Sequence, residues 1–209
     1  MATLSEVFNS SDIRPIVIFQ TDGDEFDDLQ GNPPAANPFW LPRRFSFQNV
    51  VTAAEKSRVT IYPVISGVRY VAVPDAELTD RALNDWLNRQ SAAEEILKAR
   101  KQPLPKERPN NPTKDALLSY ATQWRTRQIA MVQLAQLTGA WPEFLETPEQ
   151  ADEIYTRILT DIDRRYIIGY YPTNRARDGK RRKVSVEVRG HPEYLVWGQR
   201  SYFARDETR

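Results

Sequence analysis

At 209 residues the chain is sized for one domain or one and a half, and it can bury roughly 70% of the surface its unfolded form exposes. Its 29 lysines and arginines nearly balance 28 aspartates and glutamates, for a formal charge of +1, so net charge gives no argument for nucleic acid or an anionic membrane surface as a partner. The absence of cysteine excludes disulfides and thiolate metal sites, and the single histidine, His191, excludes multi-histidine zinc chemistry.

Leu4, Val7 and Phe8 share a face over residues 3–10 and read as the last turns of a helix ended by Asn9-Ser10-Ser11. The stretch MATLSEVFNSSD has neither the basic start nor the apolar core of a signal peptide. A first strand is expected at about 14–21, where Ile16, Val17, Ile18 and Phe19 form a β-branched and aromatic run suited to burial on both faces. The run empties into Asp22, Asp24, Glu25, Asp27 and Asp28. Ligands of open parallel sheets bind beyond the carboxyl ends of strands, and crowded carboxylates suit a hard divalent cation. A loop with four prolines follows, from Phe26 to Phe45, in which Phe39, Trp40 and Leu41 are expected to anchor the chain to the core.

Phe47 to Arg58 reads as a short helix and Val59 to Ser66 as a second strand, a βαβ unit that implies parallel pairing. Residues 75–101 are helical and rich in charge, with Leu78, Leu83, Trp86, Leu87, Ile96 and Leu97 as their apolar positions. The four prolines of KQPLPKERPNNPTK end that stretch, and a long helix runs from about Lys114 to Leu137, with Gly139 as its stop signal. AWPEFLE reads as a short strand. Thr147, Pro148 and Gln150 then open a helix as N-cap, first position and capping-box partner. Its apolar face is Ala151, Ile154, Ile158 and Ile162. In the tail, RYIIGYYPTN, RKVSVEVRG and YLVWGQRSYFA read as three antiparallel strands, the second alternating Val184, Val186 and Val188 with polar residues. Asp178-Gly179 marks a turn between the first two. No run approaches the ~20 apolar residues of a membrane span.

Among candidate sites, the basic cluster Arg175, Arg177, Lys180, Arg181, Arg182 and Lys183 reads as a solvated hairpin tip, and His191-Pro192 as a surface turn. The acidic strand tip is not an EF-hand: counted from Asp22, the glycine and glutamate positions hold Asp27 and Pro33. Asp22-Gly23-Asp24-Glu25-Phe26 matches both aspartates of the D-x-D-x-[TV] motif of haloacid-dehalogenase-type phosphotransferases and misses its fifth position. That leaves an enzyme alternative, a Mg²⁺-dependent phosphatase with Asp22 as nucleophile and Asp24 as acid/base.

Four stretches together resemble a von Willebrand factor A-type (VWA) domain. RPIVIFQTDGDE looks like its fourth strand, which ends in T-D-G, and VVTAAEKSRVTIYPVI is similar to the helix and fifth strand that follow. LAQLTGAWPEFLETPEQADEIYTRILTDI resembles the sixth strand and last helix. RRYIIGYYPTNRARDGKRRKVSVEVR, closing with RSYFA, is similar to the C-terminal signature of the acidobacterial VWFA-related family.

The resemblance implies an α/β fold: a partial Rossmann-like (VWA-type) parallel half-sheet with flanking helices, plus a C-terminal antiparallel three-stranded meander. Residues 1–165 would be the C-terminal half of a VWA-like domain with a helical insertion at about 67–126, and 166–209 an antiparallel extension. The family's metal-ion-dependent adhesion site holds Mg²⁺ on oxygens from three loops and is completed by a carboxylate of the partner protein. Asp22 matches the third loop and Asp24 is its neighbour, whereas D-x-S-x-S, the first loop, is absent. The implied function is non-enzymatic protein binding with an incomplete adhesion site and weak Mg²⁺ affinity, in an envelope or secreted setting. The chain is expected to begin just before the fourth strand. Its partner would then be another protein or the complementary VWA half, or a second copy through strand 16–19, with no nucleic acid and no membrane span.

Overall fold

The computed structural model describes residues 14–22, 46–105 and 111–204. The helix expected at 3–10, the loop 26–45 with its aromatic anchors, and the acids from Asp24 to Asp28 lie outside them. Strand β1 (Ile16–Thr21) pairs in parallel with β2 (Thr60–Ser66), from Ile16↔Thr60 to Thr21↔Ile65. Strand β3 (Glu143–Leu145) joins the other side of β2, also parallel, so the order is β1-β2-β3. This is the parallel three-stranded sheet that the alternation of apolar runs and helical patterns leads one to expect.

Helix α1 (Phe47–Ser57) connects β1 to β2 and begins with a capping box that was not singled out in the sequence. The Ser46 hydroxyl accepts from the Asn49 N–H at 3.2 Å, and the Asn49 side chain accepts from the Ser46 N–H at 2.9 Å. Arg58 closes the helix in the left-handed conformation, with φ of 53°.

The sheet alternates its side chains between two helical layers, as the period of two requires. Val17 and Ile61 pack with Val51, Ala54 and Leu134 on one side. Ile18, Tyr62 and Val64 pack with Ile154 and Ile158 of α4 (Ala151–Asp163) on the other. The entry to α4 is the capping arrangement expected at Thr147, with Pro148–Gln150 forming one 3₁₀ turn and the Gln150 side chain accepting from the Thr147 N–H at 3.1 Å.

Pro63 in the middle strand would ordinarily break a ladder. Here Thr60, Tyr62 and Val64 bond toward β1, so Pro63 faces the side where β3 does not yet reach. On that same side the Ile61 N–H donates to the Thr138 hydroxyl at 3.1 Å, which supplies the acceptor a longer β3 would have provided.

The chain divides into two compact units, Val68–Ile129 and the remainder. The Val68–Ile129 unit holds α2 (Asp75–Ala99) and the first part of α3 (Lys114–Thr138). Its core is Tyr70, Leu78, Ala82, Leu117, Ala121 and Trp124. Gln128 is buried and holds the segment before α2, accepting from the Tyr70 N–H at 2.7 Å and donating to the Val68 carbonyl at 2.8 Å.

The tail differs from expectation. Instead of a three-stranded meander, β4 (Arg181–Lys183) and β5 (Ser201–Phe203) form a two-stranded antiparallel sheet, lengthened by the Val184 N–H to the Arg200 carbonyl at 2.8 Å. Residues 166–172 form no strand, and Val186 and Val188 stand exposed beyond β4. Alternation makes a strand only where one face is buried, and no layer among the described residues covers these side chains. The tail is tied to the sheet elsewhere. Trp197 meets Trp141 edge-on at 6.3 Å, and Trp141 meets Tyr62 at 5.6 Å. Gly139, with φ of 82°, lets the Gly198 backbone approach so closely that a Cβ would lie 2.8 Å from it.

Candidate functional site

Two features of β1 converge at one edge of the sheet. The first is its carboxyl end, where buried Thr21 is followed by exposed Asp22. Asp24, the second acid of the expected site, lies outside the described residues. Among the described residues no three acidic or histidine side chains gather closely enough to hold a metal ion.

The second feature is the edge itself. The Thr60 N–H donates to the Pro15 carbonyl at 2.9 Å, and with Ile16 opposite Thr60 this fixes the alternation of the ladder. Residues 15, 17, 19 and 21 bond toward β2, so the backbone groups of Ile16, Ile18 and Gln20 point away from it. The side chains along this edge are apolar: Ile16 is 39% and Phe19 37% exposed. Gln20, the polar residue of this edge, stays exposed and is engaged by its neighbours. Its amide donates to Ser66 Oγ at 3.3 Å and accepts from the Tyr155 hydroxyl at 3.0 Å.

Several buried or half-buried carboxylates had no counterpart in the sequence reading, among them Glu55, Asp161 and Asp85. Glu55, on the buried stripe of α1 beside Ala54, accepts from Arg181 Nε at 3.1 Å and from the Ser201 hydroxyl. It therefore fixes β4 and β5 to α1, an attachment that Lys56 strengthens by lying 5.5 Å from the centre of the Phe203 ring. Arg181 thus leaves the basic cluster for a structural role.

Asp161 accepts from the Tyr62 hydroxyl and from Arg165, whose guanidinium also donates to the Gly139 carbonyl at 2.8 Å. Burial, followed by the bond to Asp161, holds the Tyr62 hydroxyl protonated far above the usual tyrosine range. Within the Val68–Ile129 unit, Asp85 accepts from the hydroxyls of Tyr70 at 3.0 Å and Tyr120 at 2.8 Å and from Arg89 Nε at 3.1 Å. Burial is the main cause that pushes Tyr120 up to about 12, with the Asp85 hydrogen bond and charge adding to it, and it raises Tyr70 further. Each carboxylate is met by donors from its neighbours. Their chemistry is that of satisfied polar crosslinks.

The alanines beside Glu55 are the only local signal that it turns inward. Arg181 is 126 positions away, so the pair itself could not be read from spacing.

Arg175, Arg177, Arg182, Tyr171 and Tyr202 line an open groove of about 450 Å³ in the tail. Arg182 is engaged there by the Asn174 and Ala176 carbonyls and by Asp178 at 3.2 Å. His191 stacks on Tyr194 at 4.5 Å and pairs with Glu193, as a surface turn residue would.

No family model matches the chain, and neither a curated protein nor a solved structure proves similar to it.

Proposed function

We propose that the chain is a non-enzymatic protein-binding module, the C-terminal part of a VWA-type domain whose sheet is continued beside β1 by a further strand. The observation that carries this reading is the apolar, outward-facing edge of β1, because native edges are ordinarily blunted by charges, bulges or covering loops. The parallel order β1-β2-β3 with helices on both faces supports it, since the resemblance implies neighbouring fourth, fifth and sixth strands. The added strand comes from polypeptide outside the described residues, and strand addition supplies both hydrogen bonds and register.

Light scattering on the chain alone, and binding to a polypeptide carrying the complementary strands, test the proposal. Ile16→Lys with Phe19→Lys should weaken either association about tenfold or more, a loss of at least ~1.4 kcal/mol, while Arg175→Glu in the tail should not. A stable monomer at high concentration, with slowly exchanging amides at Ile16, Ile18 and Gln20, would overturn it.

A further inference from the structure

The segment Tyr166–Tyr171 pairs strand-forming chemistry with the absence of a strand. Its tyrosines and isoleucines are among the strongest strand formers. Yet none of its backbone groups hydrogen-bonds to a described residue. Tyr166 is 94%, Ile167 80% and Tyr171 96% exposed, which is far from the ordinary state of such side chains.

The surroundings carry a sign. Residues 164–204 hold ten lysines and arginines against three acids, although the whole chain is nearly neutral. Arg165 and Arg181 are consumed by Asp161 and Glu55. Arg175, on the groove beside Tyr171, and Lys183 on β4 have no acidic partner among the described residues.

We infer that this face of the tail is a docking surface for an extended acidic polypeptide segment, one that alternates aliphatic and acidic side chains. Its backbone pairs with residues 166–171, its aliphatic side chains cover Ile167 or Ile168, and its carboxylates reach Arg175 and the groove. A polypeptide fits better than nucleic acid or lipid. The unpaired stretch offers donors and acceptors in alternation, and only another backbone returns both, whereas phosphates accept and do not donate. The surface is distinct from the β1 edge, and neither inference depends on the other.

Fluorescence anisotropy with a short labelled peptide of alternating glutamate and valine tests it on the full chain. Binding is expected to weaken with added salt, and about tenfold or more in Arg175→Glu and in Ile167→Asp. Ile16→Lys on β1 should leave it unchanged, so failure here and failure of the strand-addition reading are separable. The inference is overturned if the peptide does not bind, if an alternating lysine and valine peptide binds as well, or if polyuridylate or phosphatidylglycerol vesicles bind more tightly than the peptide.

Discussion

Strands β1 and β2 are built from the same kinds of residue and lie side by side, yet they sit in different environments. In β2 the five residues Ile61–Ile65 are all buried, between α1 and α3 on one face and α4 on the other. In β1 only Thr21 is fully buried, while Ile16 and Phe19 reach solvent. Composition records the sheet for which a strand is suited, and burial records the neighbours it has. Where the two disagree, as in β1, a neighbour is called for.

The largest expected effect contrasts the two strands directly. Ile65 is 1% exposed and packs against Met131, Phe47 and Phe144, so Ile65→Ala should cost about 2–5 kcal/mol in a urea titration. Ile16→Ala removes the same atoms from the open edge and should cost under about 1 kcal/mol in the isolated monomer. Equal costs would mean that β1 is already covered, and the comparison would collapse. A cost for Ile16→Ala that rises with protein concentration would show that association buries it.

The parts of the fold legible in the sequence were those determined locally. The start of α4 followed from Thr147, Pro148 and Gln150, and β2 from the β-branched run Val59 to Ser66. The helices of the Val68–Ile129 unit followed from apolar spacing and from the prolines between them. The tail did not follow. Val184, Val186 and Val188 alternate as a strand should, but alternation cannot reveal that no layer among the described residues covers Val186 and Val188. The fixing of β4 to α1 by Glu55 was equally hidden, because a lone glutamate in a helix ordinarily faces water. Of the candidate site, the position of Asp22 directly after β1 could be read from the apolar run before it, while the status of the edge required the strand order.

A smaller effect separates the helical unit from the sheet. Around Asp85 every polar partner is satisfied, the opposite of the condition of β1. Tyr120 ionises at about 12 in the folded chain against 10.0 ordinarily, so above pH 10 the unfolded state releases its proton first. The stabilisation is complete below pH 10 and is lost as pH rises toward 12. Tyr70 and Tyr62 act in the same direction and extend the loss to higher pH. Urea midpoints measured across this window should therefore fall, and Tyr120→Phe should make the fall shallower. A midpoint that stays flat to pH 12 would show that the Asp85 cluster opens to water.

The smallest expected effect concerns the carboxyl ends of the same two strands. Beyond β2 the chain is closed at once, with the Gly67 N–H donating to the Leu145 carbonyl at 2.9 Å. Beyond β1 it continues into Asp22 and the acids that follow in sequence. A tight Mg²⁺ site needs oxygens held at near-octahedral positions by several elements. Here one loop of the three that the resemblance implies is represented, and no further carboxylate among the described residues approaches to form a cluster. Calorimetry should accordingly give affinity no tighter than about millimolar, the order expected of exposed carboxylates without a rigid cage, and Asp22→Ala should change it little. Micromolar binding that vanishes in Asp22→Ala would restore a working metal centre to the tip of β1. If the same Mg²⁺-loaded chain also hydrolysed a generic phosphomonoester, and Asp22→Asn abolished that turnover, the tip would be a nucleophile's position and the binding-module reading would give way to a hydrolase.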